Sequence, residues 1–222
     1  MTHATSACGP EAPPSDCPLC PRLADYRERN RDQHPGFHNA PVASFGPLDA
    51  PILVVGLAPG LKGANQTGRP FTGDFAGDLL YATLLKFGFA RGAYGARTDD
   101  GLELVDVRIT NAVRCVPPEN KPVGAEIANC RPYLAYEIAA MPKLMAILAL
   151  GTIAHNGVLT TLGLKRAPYP FRHGAVHALP GDQTLVSSYH CSRYNTNTGR
   201  LTTEMFEAVF ELVRGLIDRR NI

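Results

Sequence analysis

Apolar residues gather in short runs separated by polar, glycine-bearing stretches. The first strong run, Ile52–Val55, is aliphatic and β-branched and reads as a buried strand. Gly56, Pro59, Gly60, Gly63 and Gly68 then argue against any regular element. From Asp74 the apolar positions fall at Ala76, Leu79, Leu80, Leu84 and Phe87, which is helical spacing. The alternation continues with a second strand over Val105–Val113, a helix over Gly124–Met141 that Pro132 should break or kink, and a third strand over Lys143–Leu150. A helix from about Thr152 to Leu162, a fourth strand over Thr184–Ser188 and a last helix over Leu201–Ile217 complete it. Leu201, Met205, Val209, Leu212, Val213 and Leu216 form the core-facing stripe of that last helix. Upstream, Arg22–Gln33 reads as helical and His34–Pro51 as loop, while 91–101, 166–180 and 190–200 read as irregular.

Strands alternating with helices predict an α/β fold, a three-layer α/β/α arrangement around a four-stranded parallel sheet. Ligands bind at the carboxyl ends of such strands. The long loop between Gly56 and Asp74, carrying Asn65, Arg69 and Phe71, is therefore the first active-site candidate.

Composition narrows the class. The chain has 222 residues, 45% hydrophobic and 19% charged, which suits a globular protein. Residues 1–16, rich in Pro, Ser, Thr and Ala, read as a mobile tail, and 17–222 as one domain. No apolar signal core follows Met1, and the run Leu144–Leu150 falls far short of the ~18 residues of a membrane span. A soluble, cytoplasmic, monomeric protein with no membrane partner is expected. A net charge of +2 neither demands nor excludes nucleic acid.

Of six cysteines, Cys17 and Cys20 form a Cys-x2-Cys pair, and fourteen residues separate Cys115 from Cys130. If the N-terminal piece folds back on the sheet, the four could hold a zinc ion or an iron–sulfur cluster. The alternative is one pair and two unrelated buried thiols. Cys8 and Cys191 have no partner at useful spacing. A phosphate-binding P-loop is excluded, because Leu61 rather than lysine follows Gly60, and no G-x-G-x-x-G occurs.

Four stretches together carry a resemblance: Gly56–Gly60 (GLAPG), Asn65–Asp74 (NQTGRPFTGD), Thr110–Cys115 (TNAVRC) and Ser188–Thr202 (SYHCSRYNTNTGRLT). With the cysteine spacing, they resemble the family 5 uracil-DNA glycosylases, the UDGb type, from about Cys17 to the final helix. The resemblance implies a uracil-glycosylase fold, a [4Fe-4S] cluster on Cys17, Cys20, Cys115 and Cys130, and excision of deaminated bases from single- or double-stranded DNA. Uracil is the expected base, with hypoxanthine or xanthine as further substrates. The cluster's expected work is to fasten the N-terminal segment and the 116–129 loop beside the DNA.

Roles follow residue by residue. A flipped base needs a stacking platform, which suits Phe71, although a core phenylalanine would look the same. The Asn111 amide offers both a donor and an acceptor and can match uracil while mismatching cytosine. Gly56 and Ala58 would border the base. Asp74 suits a carboxylate that orients water and stabilises the sugar cation, though aspartate is also a favoured helix N-cap. In the related family 4 enzymes a Glu follows the first glycine, where this chain has Leu57. His190 suits the departing base's negative charge. Arg193 and Tyr194 are the expected duplex wedge, and Arg69, Asn120, Asn195 and Arg200 the further DNA contacts. Cys191 stands where many relatives have Pro, and Gln66 where many have Arg. His155, His173 and His177 carry no expected role. The competing readings are an iron–sulfur nucleic-acid binding protein without glycosylase activity and a zinc-stabilised nucleotide hydrolase.

Overall fold

The computed structural model describes residues 12–219, so most of the expected mobile tail, with Cys8, lies outside the described residues. The elements in chain order are α1 (Pro21–Gln33), β1 (Ile52–Gly56), α2 (Ala64–Thr67), α3 (Phe75–Lys86), β2 (Ala90–Arg91), β3 (Glu103–Leu104) and β4 (Val107–Asn111). There follow α4 (Gly124–Ala140), β5 (Ala146–Leu150), α5 (Thr152–Thr161), β6 (Val176–Ala178), β7 (Thr184–Ser188), α6 (Arg193–Asn197) and α7 (Thr203–Asp218).

The four expected strands pair in parallel in the order β4-β1-β5-β7. A fifth, β6, joins antiparallel beyond β7 in a stretch read as irregular. It has three residues, none fully buried, so it lacks the apolar run that marks the central strands. β2 and β3 form a separate small antiparallel pair.

Both sheet faces are covered, which explains the unbroken apolar runs of the central strands. Ile52, Val54, Ile109, Leu148 and Val186 pack on one face against α3 and α7. Leu53, Val55, Ile147, Ala149 and Leu185 pack on the other against α4 and α5. The stripe of α7 is displaced from the expected one. Phe206, Val209, Phe210, Val213 and Ile217 are buried, while Met205, Leu212 and Leu216 flank them. The aromatic pair Phe206–Phe210, centroids 5.1 Å apart, fills the space that the aliphatic reading overlooked. α4 runs unbroken through Pro132. Burial of Leu134 and Ile138 on the sheet holds the turn that the missing N–H weakens.

Two stretches expected to be irregular contain short helices. α2 ends on Gly68 in the left-handed conformation, with φ of 81°. α6 starts from Ser192, whose hydroxyl accepts from the Asn195 N–H at 3.4 Å.

Candidate functional site

The site stands on strand ends. β1 ends at Gly56, whose register partner on β4 is Asn111. A Cβ at Gly56 would collide with Asn111 Oδ1 and lie 2.5 Å from Phe71 Cζ, so only glycine lets both side chains approach. Asn111 is buried, and its Oδ1 has no hydrogen-bond partner among the described residues. A buried polar atom left unmatched costs about 1–3 kcal/mol, and such exceptions point to a ligand.

Phe71 is buried with φ of 56°, a region that bulky side chains avoid. Its neighbours hold it there. The Tyr81 hydroxyl donates to Pro70 O at 2.6 Å, and the Tyr94 hydroxyl donates to Phe71 O at 3.4 Å and accepts from Gly73 N–H at 3.3 Å. Arg69 braces the same loop from behind. Its guanidinium is buried, lies over the rings of Phe45, Tyr81 and Tyr94, and grips Asp100 through two bonds of 2.9 and 2.7 Å. Its Nε donates to Thr72 Oγ1 at 2.7 Å, so the expected DNA contact by Arg69 is corrected: a guanidinium bonded through all three nitrogens has no fork left for phosphate.

Asp74 serves two neighbours at once. Its Oδ1 caps α3, accepting from Gly77 N–H at 3.1 Å. Its Oδ2 faces the glycine loop so closely that a Cβ at Gly63 would collide with it. Burial raises the carboxyl pKa above 3.8, against the lowering effect of the Gly77 and Ala76 N–H groups.

His190 follows β7. Its ring lies 6.0 Å from that of Phe71, centroid to centroid, at 26°. Burial lowers its pKa to about 4, so the imidazole is neutral at pH 7. Its backbone is tied on both sides. Tyr189 N–H donates to His173 Nδ1 at 3.2 Å, and His173 Nε2 bonds Met205 O at 3.2 Å, which fixes one tautomer. Asn195 Nδ2 donates to His190 O at 2.8 Å. That amide, expected at a phosphate, instead fastens the loop. Cys191 is buried and donates its thiol to Ala76 O at 3.4 Å, joining this loop to the start of α3.

Phe71, Asn111, Asp74 and His190 thus converge on one inner pocket, walled also by Ala58 and Ala64. It shares Ala58, Gly60, Asp74, Ala76 and His190 with a wider cleft of about 440 Å³ between the loops after β1 and β5. Connections from those two neighbouring strands leave in opposite directions, the switch point at which open α/β sheets bind ligands. Leu57, Asn120 and Arg193 border the cleft. Arg193 and Tyr194 are exposed on α6, Tyr194 at 72%. Arg200 lies over the Tyr189 ring at 4.6 Å.

The sequence reading missed the far wall. Leu150, Gly151 and Ile153 line the cleft from the end of β5, a position that the strand-end rule could have flagged. It also passed over Tyr81, Tyr94, Asp100 and His173, which steady the site from distant segments. Asn65 is structural, donating to Asn39 Oδ1 at 2.9 Å. His155 is buried between Ser187 Oγ and Tyr169 O, at 2.8 and 2.9 Å.

Away from the cleft, Cys17, Cys20, Cys115 and Cys130 line one small cavity between α1 and α4. Donors face the sulfurs: Arg114 N–H bonds Cys130 Sγ at 3.3 Å and Asn129 Nδ2 bonds Cys20 Sγ at 3.6 Å. Such N–H groups suit thiolate ligands. Among the described residues, no three His, Cys, Asp or Glu side chains converge tightly enough to hold a single metal ion.

A family model described as the uracil DNA glycosylase superfamily matches residues 43–214. A type-5 uracil-DNA glycosylase of Thermus thermophilus is 45% identical over 204 residues, covering 89% of this chain and 93% of its own. One from Pyrobaculum aerophilum is 40% identical over 198 residues, covering 87% and 86%. A type-4 uracil-DNA glycosylase of the same organism is 35% identical over 149 residues, covering 67% and 62%.

Proposed function

The chain belongs to the uracil-DNA glycosylase superfamily, and from that premise we propose that its inner pocket reads a flipped uracil and hydrolyses the bond to its sugar. The protein is a DNA-repair glycosylase of type 5. The observation that carries the reading of the pocket is the buried, unpartnered Asn111 Oδ1. Uracil presents an N3–H donor beside a carbonyl acceptor, which the Asn111 amide matches with its oxygen and nitrogen. Cytosine presents an acceptor at N3 and a donor at N4, so the same amide rejects it. Phe71 supplies the stacking face, worth roughly 1–3 kcal/mol per base, against the few kcal/mol that flipping costs.

Bond breaking leaves positive charge on the sugar and negative charge on the departing base. Asp74 Oδ2 stabilises the first and orients the water whose oxygen bonds to C1′; the carboxylate takes the proton that the water sheds. A neutral His190 N–H holds the developing negative charge on the base oxygen, as a fixed donor rather than an acid. The base leaves with both bond electrons as an anion that takes a proton at N1 from solvent, Asp74 gives up its proton to solvent, and an abasic site remains in an unbroken strand. Arg193 and Tyr194 hold the flipped state, with Asn120 and Arg200 at the backbone.

The four cysteines are assigned to a [4Fe-4S] cluster. Four cysteines lining one cavity, with N–H groups of Arg114 and Asn129 facing two of the sulfurs, are the thiolate set that such a cluster takes. The cluster would tie α1 to α4 and to the loop that carries Asn120. A duplex holding one U opposite G tests the whole reading. Alkali-dependent cleavage at that site supports it, and an intact strand would leave DNA binding without excision. Hypoxanthine and xanthine duplexes then test whether the cleft beside Leu57 admits purines.

A further inference from the structure

A second concave surface adjoins the cleft. α4 and α5 enclose a groove of about 150 Å³, lined by Arg131, Asn156, Thr160 and Arg166. Its charge is uncompensated. Both acids of α4 are engaged elsewhere, Glu126 with Arg22 and Glu137 with Arg108 and Arg114, and α5 carries no acid. Among the described residues, Arg131 Nε is buried without a hydrogen-bond partner, and Arg166 donates only to Thr160 Oγ1 at 3.3 Å. Ile153 stands in the wall of both the groove and the catalytic cleft, so the two adjoin.

We propose that this groove is a phosphate-binding extension of the DNA interface, in which Arg131 and Arg166 take a backbone phosphodiester outside the flipped nucleotide. The proposal rests on the glycosylase reading for its ligand. The unsatisfied Arg131 Nε and the exposed Arg166 guanidinium, beside the Asn156 amide, offer N–H donors of the kind that a phosphate diester takes. Its shared wall at Ile153 puts the groove next to the cleft, on the side that DNA approaches. A groove of this kind adds affinity and carries no base preference.

The test is the salt dependence of binding to an undamaged duplex, measured for the native protein and the Arg131→Gln/Arg166→Gln variant. Each phosphate contact contributes about 0.9 to the slope of log K against log salt. With one phosphate held by the pair, native affinity should fall about 3.5-fold more than the variant's between 50 and 200 mM salt. Arg172→Gln, an exposed cation outside the groove, should keep the native slope. Arg166→Gln alone changes an exposed residue, so it reads the effect even if the double variant folds poorly. Equal slopes for the native protein and the double variant overturn the proposal. So does a thermal shift with inorganic phosphate that the double variant loses while its DNA slope is unchanged, since the groove would then hold free phosphate. Excision of U by the same native preparation separates the two readings: with excision and equal slopes only the groove fails.

Discussion

Asp74 shows how one side chain carries a structural and a chemical task without conflict. Its two oxygens divide between the start of α3 and the pocket. Asparagine caps helices as well as aspartate does, so Asp74→Asn keeps the cap and removes a buried charge. Single-turnover excision should fall by about 10²–10⁴-fold, while the melting temperature stays level or rises. The pH profile should carry the same signature. Because burial raises the Asp74 pKa, excision falls as pH drops through a value above 3.8, about tenfold per unit, with no His190 limb between pH 6 and 8. A native acid limb that persists unchanged in Asp74→Asn would remove Asp74 from the role of base.

Elements matter here through what they hold. His173 lies on no catalytic wall, yet it ties Tyr189 at the end of β7 to Met205 in α7. His173→Ala should slow excision by roughly tenfold, since small misplacements of reacting groups cost up to 10²-fold. His173→Asn keeps an acceptor near Nδ1 and should recover most of that rate, with DNA affinity level in both. The central strands and long helices were legible because burial on both sheet faces leaves plain apolar runs. β6 and α2 were not, because three- and four-residue elements are set by neighbours rather than by their own pattern. The same split runs through the site. Phe71, Asn111, Asp74 and His190 stand in motifs at strand ends and could be read. The burial of Arg69 against Asp100, thirty-one residues away, has no local signal.

For the whole molecule, the cysteine cavity joins α1 to the sheet body, so its loss should loosen one side of the DNA-facing surface. Cys17→Ala should give a colourless protein, lower its melting temperature and weaken DNA binding more than it slows excision at saturating enzyme. A stable, fully active and colourless variant would dismiss the fastening role. Acid should act on the whole fold as well. Burial lowers the pKa of His155, His173 and His190 below 6.5, so the unfolded chain binds protons first. Stability is then full above pH 6.5 and declines as pH falls from there toward about 4. Thermal melts between pH 7 and 5 should show that decline.

Gly56 also constrains how this protein can change over time. Every substitution there adds an atom that strikes Asn111 and Phe71 together. Drift in base preference is thus barred at the most central position, whereas the next one, Leu57, borders the cleft with a side chain that is only half-buried and leaves room for it. Adjacent codons, one frozen and one free, would let substrate range diversify among descendants while the recognition of uracil itself stays intact.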